Sequence, residues 1–239
     1  MPRDEAKLSD IFITTPYGLI KKNRTGIGAT TLELNSPRNS IIVVPTKTLA
    51  YEKAKNSLIE ETGKYKILYV GSAISGLTIP SIEQYLSDKD IIYKKFIVVA
   101  DSLPKVYEVI ATKQESFESY FLLVDEVDMI QSDATYSPKL EDVIDYYCKF
   151  PQFNRALVSA TIRDFTHHEV QKEPMLIAKY DNEEERQKPH QIIHTDNPNR
   201  AVVEYIKERY NGEKEKIVIA YNSITDIKEI IFLLPDNLR

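Results

Sequence analysis

Two short segments carry side chains spaced for phosphate chemistry. The first reads Asn23-Arg24-Thr25-Gly26-Ile27-Gly28-Ala29-Thr30-Thr31. Set against the phosphate-binding pattern G-x-x-x-x-G-K-[ST], Gly28 takes the second glycine position and Thr30 the hydroxyl position. Asn23 stands at the first glycine and Ala29 at the lysine. Glycine-rich backbone lets successive N–H groups converge on phosphate oxygens, and a hydroxyl placed like that of Thr30 ligates Mg²⁺. Ala29 brings no charge to the β- and γ-phosphates; Lys21, Lys22 or Arg24 could supply it from upstream. Pro37 leaves little room for the helix that ordinarily follows such a loop, and a plain glycine-rich turn also fits these residues. Glycine is scarce, 7 residues in 239, yet Gly18, Gly26 and Gly28 fall close together. A backbone requirement is expected there.

The second segment is Phe121-Leu122-Leu123-Val124-Asp125-Glu126-Val127-Asp128. An apolar strand that delivers two acids at its C-terminal end suits metal and water chemistry. Asp125 is placed to hold Mg²⁺ and Glu126 to orient or deprotonate an attacking water. The same residues would also make an acidic helix entrance.

The elements that must position these groups come from apolar runs. Ser40–Val44, Lys66–Val70, Phe96–Ala100, Phe121–Val124 and Ala156–Val158 are nearly continuous apolar, as parallel strands buried on both faces are. Helical patterns over Thr46–Glu61, Ile79–Ser87, Leu103–Thr112 and Leu140–Tyr147 separate most of them, with Thr78 and Ser102 as caps. Strand and helix in alternation predict an α/β fold, a doubly wound, mostly parallel sheet with helices on both faces. Three further polar segments directly follow predicted strands: Pro45-Thr46-Lys47-Thr48-Leu49-Ala50, Asp101-Ser102-Leu103-Pro104 and Ser159-Ala160-Thr161. All five segments therefore fall at the edge where open α/β sheets bind ligands.

Beyond Pro174 the pattern changes. Met175–Tyr180 reads as a strand, DNEEERQKPH as a surface loop with Glu183–Glu185 solvated, and Ile192–His194 as a short strand. A helix from Pro198, a strand over Lys216–Tyr221 and a helix to about Leu234 follow. One β-α unit cannot bury both faces of a sheet, so this stretch is expected to open a second domain.

Composition narrows the classes. With 31 Lys+Arg against 36 Asp+Glu the net charge is −5, so a nucleic-acid site would be a local patch on an acidic body. One cysteine, Cys148, excludes an intrachain disulfide and a cysteine-rich zinc site, and is expected as a buried thiol on a helix. The four histidines, His167, His168, His190 and His194, form no convincing metal constellation. The charged start MPRDEAKLSD is no signal peptide and no apolar run approaches a membrane span, so a soluble cytoplasmic protein is expected. Tyrosines are abundant at 15, but Tyr69, Tyr146 and Tyr147 fall in apparent core or helix positions, where packing is the expected role.

Taken in order, TGIGATT, PTKTLA, ADSLP, DEVD and SAT resemble the first RecA-like domain of superfamily-two helicases, the P-loop NTPase group that contains the DEAD-box proteins. The resemblance covers about residues 16–165, and KIVIAYNSITDIKEII (216–231) is similar to the first strand and helix of the second RecA-like domain. It implies a first domain over 1–180, a linker over 181–197 and the start of a second domain over 198–239. It also implies an ATP-dependent nucleic-acid motor with ATP and Mg²⁺ at Thr25, Gly26, Ile27, Gly28, Ala29, Thr30 and Thr31. Thr30 and Asp125 would hold the metal, and Glu126 would activate water. Pro45, Thr46, Lys47 and Ser102 would touch a nucleic-acid backbone, DNA ahead of RNA, and Ser159 and Thr161 would couple nucleotide state to that grip. Three departures stand out: Ala29 in place of the lysine, only the beginning of the domain that carries the family's arginine finger, and Ile13–Gly18 in place of an adenine-reading glutamine motif. Residues 1–239 alone are accordingly expected to bind nucleotide weakly and turn it over slowly. The alternative is a degenerate RecA-like module that binds nucleic acid or protein without turnover.

Overall fold

Runs of aliphatic and β-branched residues set the architecture. The structure is a computed structural model. It describes residues 7–55, 58–59, 64–73, 81–133, 142–162, 164–179, 194–210, 217, 219–220 and 223–238. The chain divides into two compact units, Met1–Glu183 and Glu184–Arg239.

The first unit contains β1 (Gly18–Lys21), β2 (Asn39–Val44), β3 (Leu58–Ile59), β4 (Lys64–Tyr65), β5 (Ile67–Val70), β6 (Lys95–Val99), β7 (Tyr120–Asp125), β8 (Arg155–Ser159) and β9 (Met175–Ile177). β3 and β4 pair antiparallel with each other; the other seven form one all-parallel sheet in the order β5-β6-β2-β7-β8-β1-β9. Helices α1 (Ala29–Asn35), α2 (Lys47–Lys55), α3 (Ile82–Ser87), α4 (Leu103–Thr112), α5 (Val127–Asp133), α6 (Asp142–Lys149) and α7 (His168–Gln171) lie between the strands in sequence. Strand residues alternate between two apolar cores, as the period of two requires. Val43, Val98, Leu122 and Val124 join residues of α3 to α7 in one. Ile42, Val44, Ile97 and Leu123 join Ala29 and Leu32 of α1 and Ala50 and Ala54 of α2 in the other. The unit is thus α/β with helices on both faces of a parallel sheet. Tyr69 and Tyr147 are buried in these cores and Tyr146 packs against one of them.

Several expected boundaries move. The helix predicted over Thr46–Glu61 ends at Lys55, because Leu58-Ile59 pairs with Lys64-Tyr65 instead. The helix predicted from Ile79 begins at Ile82. There Ser81 Oγ accepts from Gln84 N (3.2 Å) and Gln84 Oε1 accepts from Ser81 N (2.9 Å), a reciprocal cap that fixes the start. Thr78 lies outside the described residues. Ser102 occupies the cap position of α4 without a side-chain cap bond. Helix α1 forms in spite of Pro37, which falls just past its last turn, where proline stops a helix rather than preventing one. Strand β1 went unanticipated: four residues bounded by glycine and lysine give little apolar signal. Gly18 serves that strand and not the loop, since its φ is +94° and a Cβ there would lie 2.4 Å from the Pro174 carbonyl oxygen. Cys148 sits on α6 as expected but is only half-buried, 3.7 Å from His167 Nδ1, and burial pushes its thiol pKa up.

In the second unit, Asn197 caps α8 (Pro198–Arg209) and Ser223 caps α9 (Ile224–Leu233), each accepting a backbone N–H three residues on. The two helices join through Val203, Ile206, Ile230 and Leu234, and Asn199 donates to Asp226 and Glu229. Of the strand predicted over Lys216–Tyr221, the described residues 217, 219 and 220 pair with no strand. His194 is irregular, and the rest of that predicted strand, with Glu183–Glu185 and His190, lies outside the described residues. Among the described residues, no helix is long and apolar enough to cross a membrane.

Candidate functional site

Because the seven strands are parallel, their C-terminal ends share one edge. Lys21 is in register with Ser159, Asp125 with Val158, Val43 with Val124 and Val44 with Val99. The segments after β1, β2, β6, β7 and β8 therefore follow one another along this edge, which is the positional expectation drawn from the sequence.

The loop after β1 is shaped by three residues with positive φ: Asn23 (55°), Gly26 (75°) and Gly28 (85°). Asparagine tolerates the left-handed region better than other side-chain-bearing residues. Asn23 thus keeps the conformation a glycine would have at this position, and its Nδ2 donates to the Ala178 carbonyl (2.7 Å). A Cβ on Gly26 would meet nothing within 4 Å, so its backbone faces open space. The loop is held from the N-terminal side. Leu8 N donates to Ile27 O (3.0 Å), Lys7 Nζ donates to Gly26 O (3.0 Å), and the Leu8 and Ile27 side chains are buried in one apolar cluster. Gly28 then starts α1, whose first turn closes with Leu32 N donating to Gly28 O (2.8 Å).

Strand β7 brings the acids to this loop. Thr30 Oγ1 donates to Asp125 Oδ2. Glu126 has φ of 52°, a left-handed conformation costing a non-glycine residue roughly 1–3 kcal/mol, of the kind that gathers at functional sites. Lys22, the residue after β1, continues the ladder through its N–H to Ser159 O (2.7 Å). Its ammonium donates to Asp125 Oδ1 (3.0 Å) and Glu126 Oε1 (2.8 Å), and the residue is only 3% exposed. Burial works against the charged form of Lys22, but the two carboxylates outweigh it and hold its pKa above the ordinary lysine value.

Lys22, Gly26, Gly28, Ala29, Thr30, Thr31, Asp125 and Glu126 line one cavity of about 540 Å³, within the range of small-molecule sites. Lys7, Phe12, Ile13 and Lys53 are among the other residues that border it. Thr25 is exposed outside this lining, and Ile27 anchors the loop by burial. Ala29 is 3% exposed, in the same apolar cluster as Ile27 and Leu32. Hydroxyl and carboxylate oxygens are the hard donors that Mg²⁺ takes, so the Thr30–Asp125 pair fits that ion chemically.

A second cluster ties the neighbouring strand to the acids. Ser159 Oγ donates to Asp128 Oδ1, Thr161 Oγ1 donates to Asp128 Oδ2, and Thr161 N donates to Ser159 Oγ (3.2 Å). Burial alone would raise the Asp128 pKa; these hydroxyl bonds outweigh it and hold the carboxyl below its usual range.

The remaining predicted residues share the edge but do not line the cavity. Thr46 accepts Leu49 N at the start of α2 (3.3 Å), Lys47 Nζ donates to Ala73 O (2.7 Å), and Pro45 is half-buried. Ser102 is buried and donates to Asp101 (3.3 Å). Sequence reasoning missed the part played by Lys7, Leu8 and Phe12, which lie ahead of any motif, and left Lys22 undistinguished from Lys21 and Arg24. Comparison with protein families and with curated proteins finds no match for this chain.

Proposed function

We propose that this chain carries the Mg·ATP site of a P-loop, RecA-like nucleic-acid motor, a helicase or translocase. The observation that carries the reading is the convergence of an open glycine loop, a hydroxyl–carboxylate pair and a second acid in one cavity. The all-parallel sheet is compatible with a RecA-like fold, and the five segments lie along the edge formed by the C-terminal ends of its strands.

In this reading the backbone N–H groups from Gly26 to Thr30 bind phosphate oxygens, and Phe12 and Ile13 offer an apolar wall to a base. Thr30 and Asp125 would hold Mg²⁺, which supplies Lewis-acid charge when bound. Glu126 accepts the proton of a water whose oxygen attacks the terminal phosphorus while the bond to ADP breaks. The Asp128–Ser159–Thr161 cluster links the acid strand to its neighbour, a route from nucleotide state to grip on a strand. Pro45, Thr46, Lys47 and Ser102 would meet that strand's phosphates, contacts that position without reading sequence.

The test is calorimetric titration of the chain with ADP and ATP, with and without Mg²⁺, followed by phosphate release with and without single-stranded DNA or RNA. Mg²⁺-dependent binding and strand-stimulated turnover are expected. Absence of binding at millimolar nucleotide would sink the reading. One observation favours the degenerate-module alternative: position 29 holds a buried methyl where a phosphate-binding lysine would stand. Strand binding with no turnover would select it.

A further inference from the structure

The nucleotide site lacks a cation at position 29, and the structure offers one from another direction. We infer that Lys22 is the phosphate-binding lysine of this cavity, supplied from the end of β1 in place of the helix start; the inference rests on the nucleotide reading above.

Ala29 does not leave a gap that a charge once filled: its methyl lies in the apolar cluster with Leu8, Ile27 and Leu32. Of the three upstream cations, Lys21 and Arg24 do not line the cavity and Lys22 does. The fold explains the choice. The Lys22 side chain reaches Asp125 and Glu126, at the end of β7, because its backbone extends β1 by one residue.

The contacts Lys22 makes here also explain how such a charge is stored. Asp125 is 5% exposed, and two carboxylates brought this close inside a protein need a counter-ion. The Lys22 ammonium serves both. Were Thr30 and Asp125 to hold a divalent ion, its charge would offset that of the acids, and the Lys22 ammonium could turn on its four-carbon stem toward phosphates bound at the Gly26–Gly28 loop. Lys22 is thus a clamp on the acids when the site is at rest and a phosphate ligand when it is loaded. Lys7 and Lys53 also border the cavity, but the Lys7 ammonium is committed to the Gly26 carbonyl, outside the acid pair.

The experiment has two parts. First, an acyl-phosphate derivative of ATP is added to the wild-type chain and labelled peptides are mapped by mass spectrometry. A lysine amine beside the terminal phosphate attacks the acyl carbon, ATP leaves, and the acyl group stays on that nitrogen. Label on Lys22, suppressed by excess Mg·ADP, is expected; label on Lys7 or Lys53 with Lys22 clean would overturn the inference. Second, Lys22→Met, its fold checked by circular dichroism, is titrated with ADP and with AMP. Loss of a charge-assisted hydrogen bond predicts about a 10- to 100-fold weaker affinity for ADP. AMP affinity is expected to stay within about twofold, since AMP lacks the β-phosphate. If the wild type binds ADP and Lys22→Met binds it equally well, the lysine assignment falls and the nucleotide reading stands. If the wild type binds neither nucleotide and takes no label, both fall.

Discussion

Lys22 and Lys95 are both nearly enclosed, and they sit at opposite edges of one sheet. Lys22 follows the last residue of β1; Lys95 is the first residue of the parallel strand β6. Helix α1 joins the two places. Its start, Ala29 and Thr30, lines the cavity with Lys22, while Glu33 O in its last turn and Ser36 O just past it accept from Lys95 Nζ at 2.8 Å each. The neighbours differ in kind. Lys22 meets two carboxylates beside open space, and its pKa is raised. Lys95 donates to two carbonyls and the Ser40 hydroxyl (2.9 Å), and burial, reinforced by Arg38 and opposed by Glu33, lowers its pKa to about 8. A lysine that donates to carbonyl and hydroxyl oxygens, with a carboxylate only nearby, closes a helix end. One set against paired acids at a cavity wall would, in the proposed reading, hold charge that an incoming ion displaces. The difference between the two lysines lies in their partners and not in the depth of burial.

The sharpest break of this contrast is expected at Glu33. Its carboxylate is fully buried and accepts from Arg38 Nε (2.9 Å), Arg38 NH2 (2.6 Å) and Ser40 Oγ (2.5 Å). Glu33→Ala strips the counter-charge from Arg38 and Lys95 and should cost about 3–5 kcal/mol in urea unfolding, the range for breaking a buried pair. ADP affinity of the molecules that remain folded should stay within about twofold. A parallel fall in affinity would mean that the two ends of α1 are coupled and that the contrast is false.

Next in size is a pH effect with opposite signs at the two lysines. Lys95 has a folded pKa below its unfolded value, so between about pH 8 and 10.5 the unfolded chain binds more protons and stability rises with pH. The gain is up to about 3 kcal/mol over the whole window. Lys22 is the reverse: its contribution is complete below pH 10.5 and is lost as pH rises through its raised folded pKa. Burial raises the pKa of Tyr85 to about 12 and pushes Tyr120 and Tyr147 up as well, so these also lose stability above pH 10. The rise is therefore to be read between pH 8 and 10, by unfolding at fixed salt. Lys95→Met should flatten it; a rise that persists in the variant would assign it elsewhere.

Neither lysine could be told from the other in the sequence. Lys22 lies in Lys21-Lys22-Asn23 and Lys95 in Lys94-Lys95-Phe96, two ordinary basic pairs, and their partners come from as far as 104 and 62 residues away. The sheet was legible for a physical reason: strands buried on both faces, such as Ile41–Val44 and Phe121–Val124, leave no polar positions to blur the run. Parallel pairing then carries every strand end to one edge, so segments far apart in sequence, such as those after β1 and β8, become neighbours there. What stayed hidden had no such amplification. Strand β1 is short, the helix capped by Ser81 and Gln84 starts within a longer stretch that also reads as helical, and Phe12 reaches the cavity through a turn that no periodicity announces. Thr46 and Ser102 show the converse, residues that lie along the same edge and whose present bonds are local.

The smallest expected effect concerns how the Lys22 edge is set, one residue further on. Asn23 holds φ of 55° and donates to Ala178 O, so its role has a backbone part and a side-chain part. Alanine loses both: roughly 1–2 kcal/mol for a left-handed non-glycine residue, and about 1 kcal/mol for the bond. Glycine loses the bond but adopts the conformation freely. Asn23→Gly should therefore lose about 1 kcal/mol in urea unfolding, and Asn23→Ala about 1–2 kcal/mol more. In ADP titrations Asn23→Gly should match the wild type, because the loop keeps the turn that follows Lys22. Equal losses in the two variants would show that the positive φ is incidental, and that asparagine stands at the first glycine position only for its contact with β9's end.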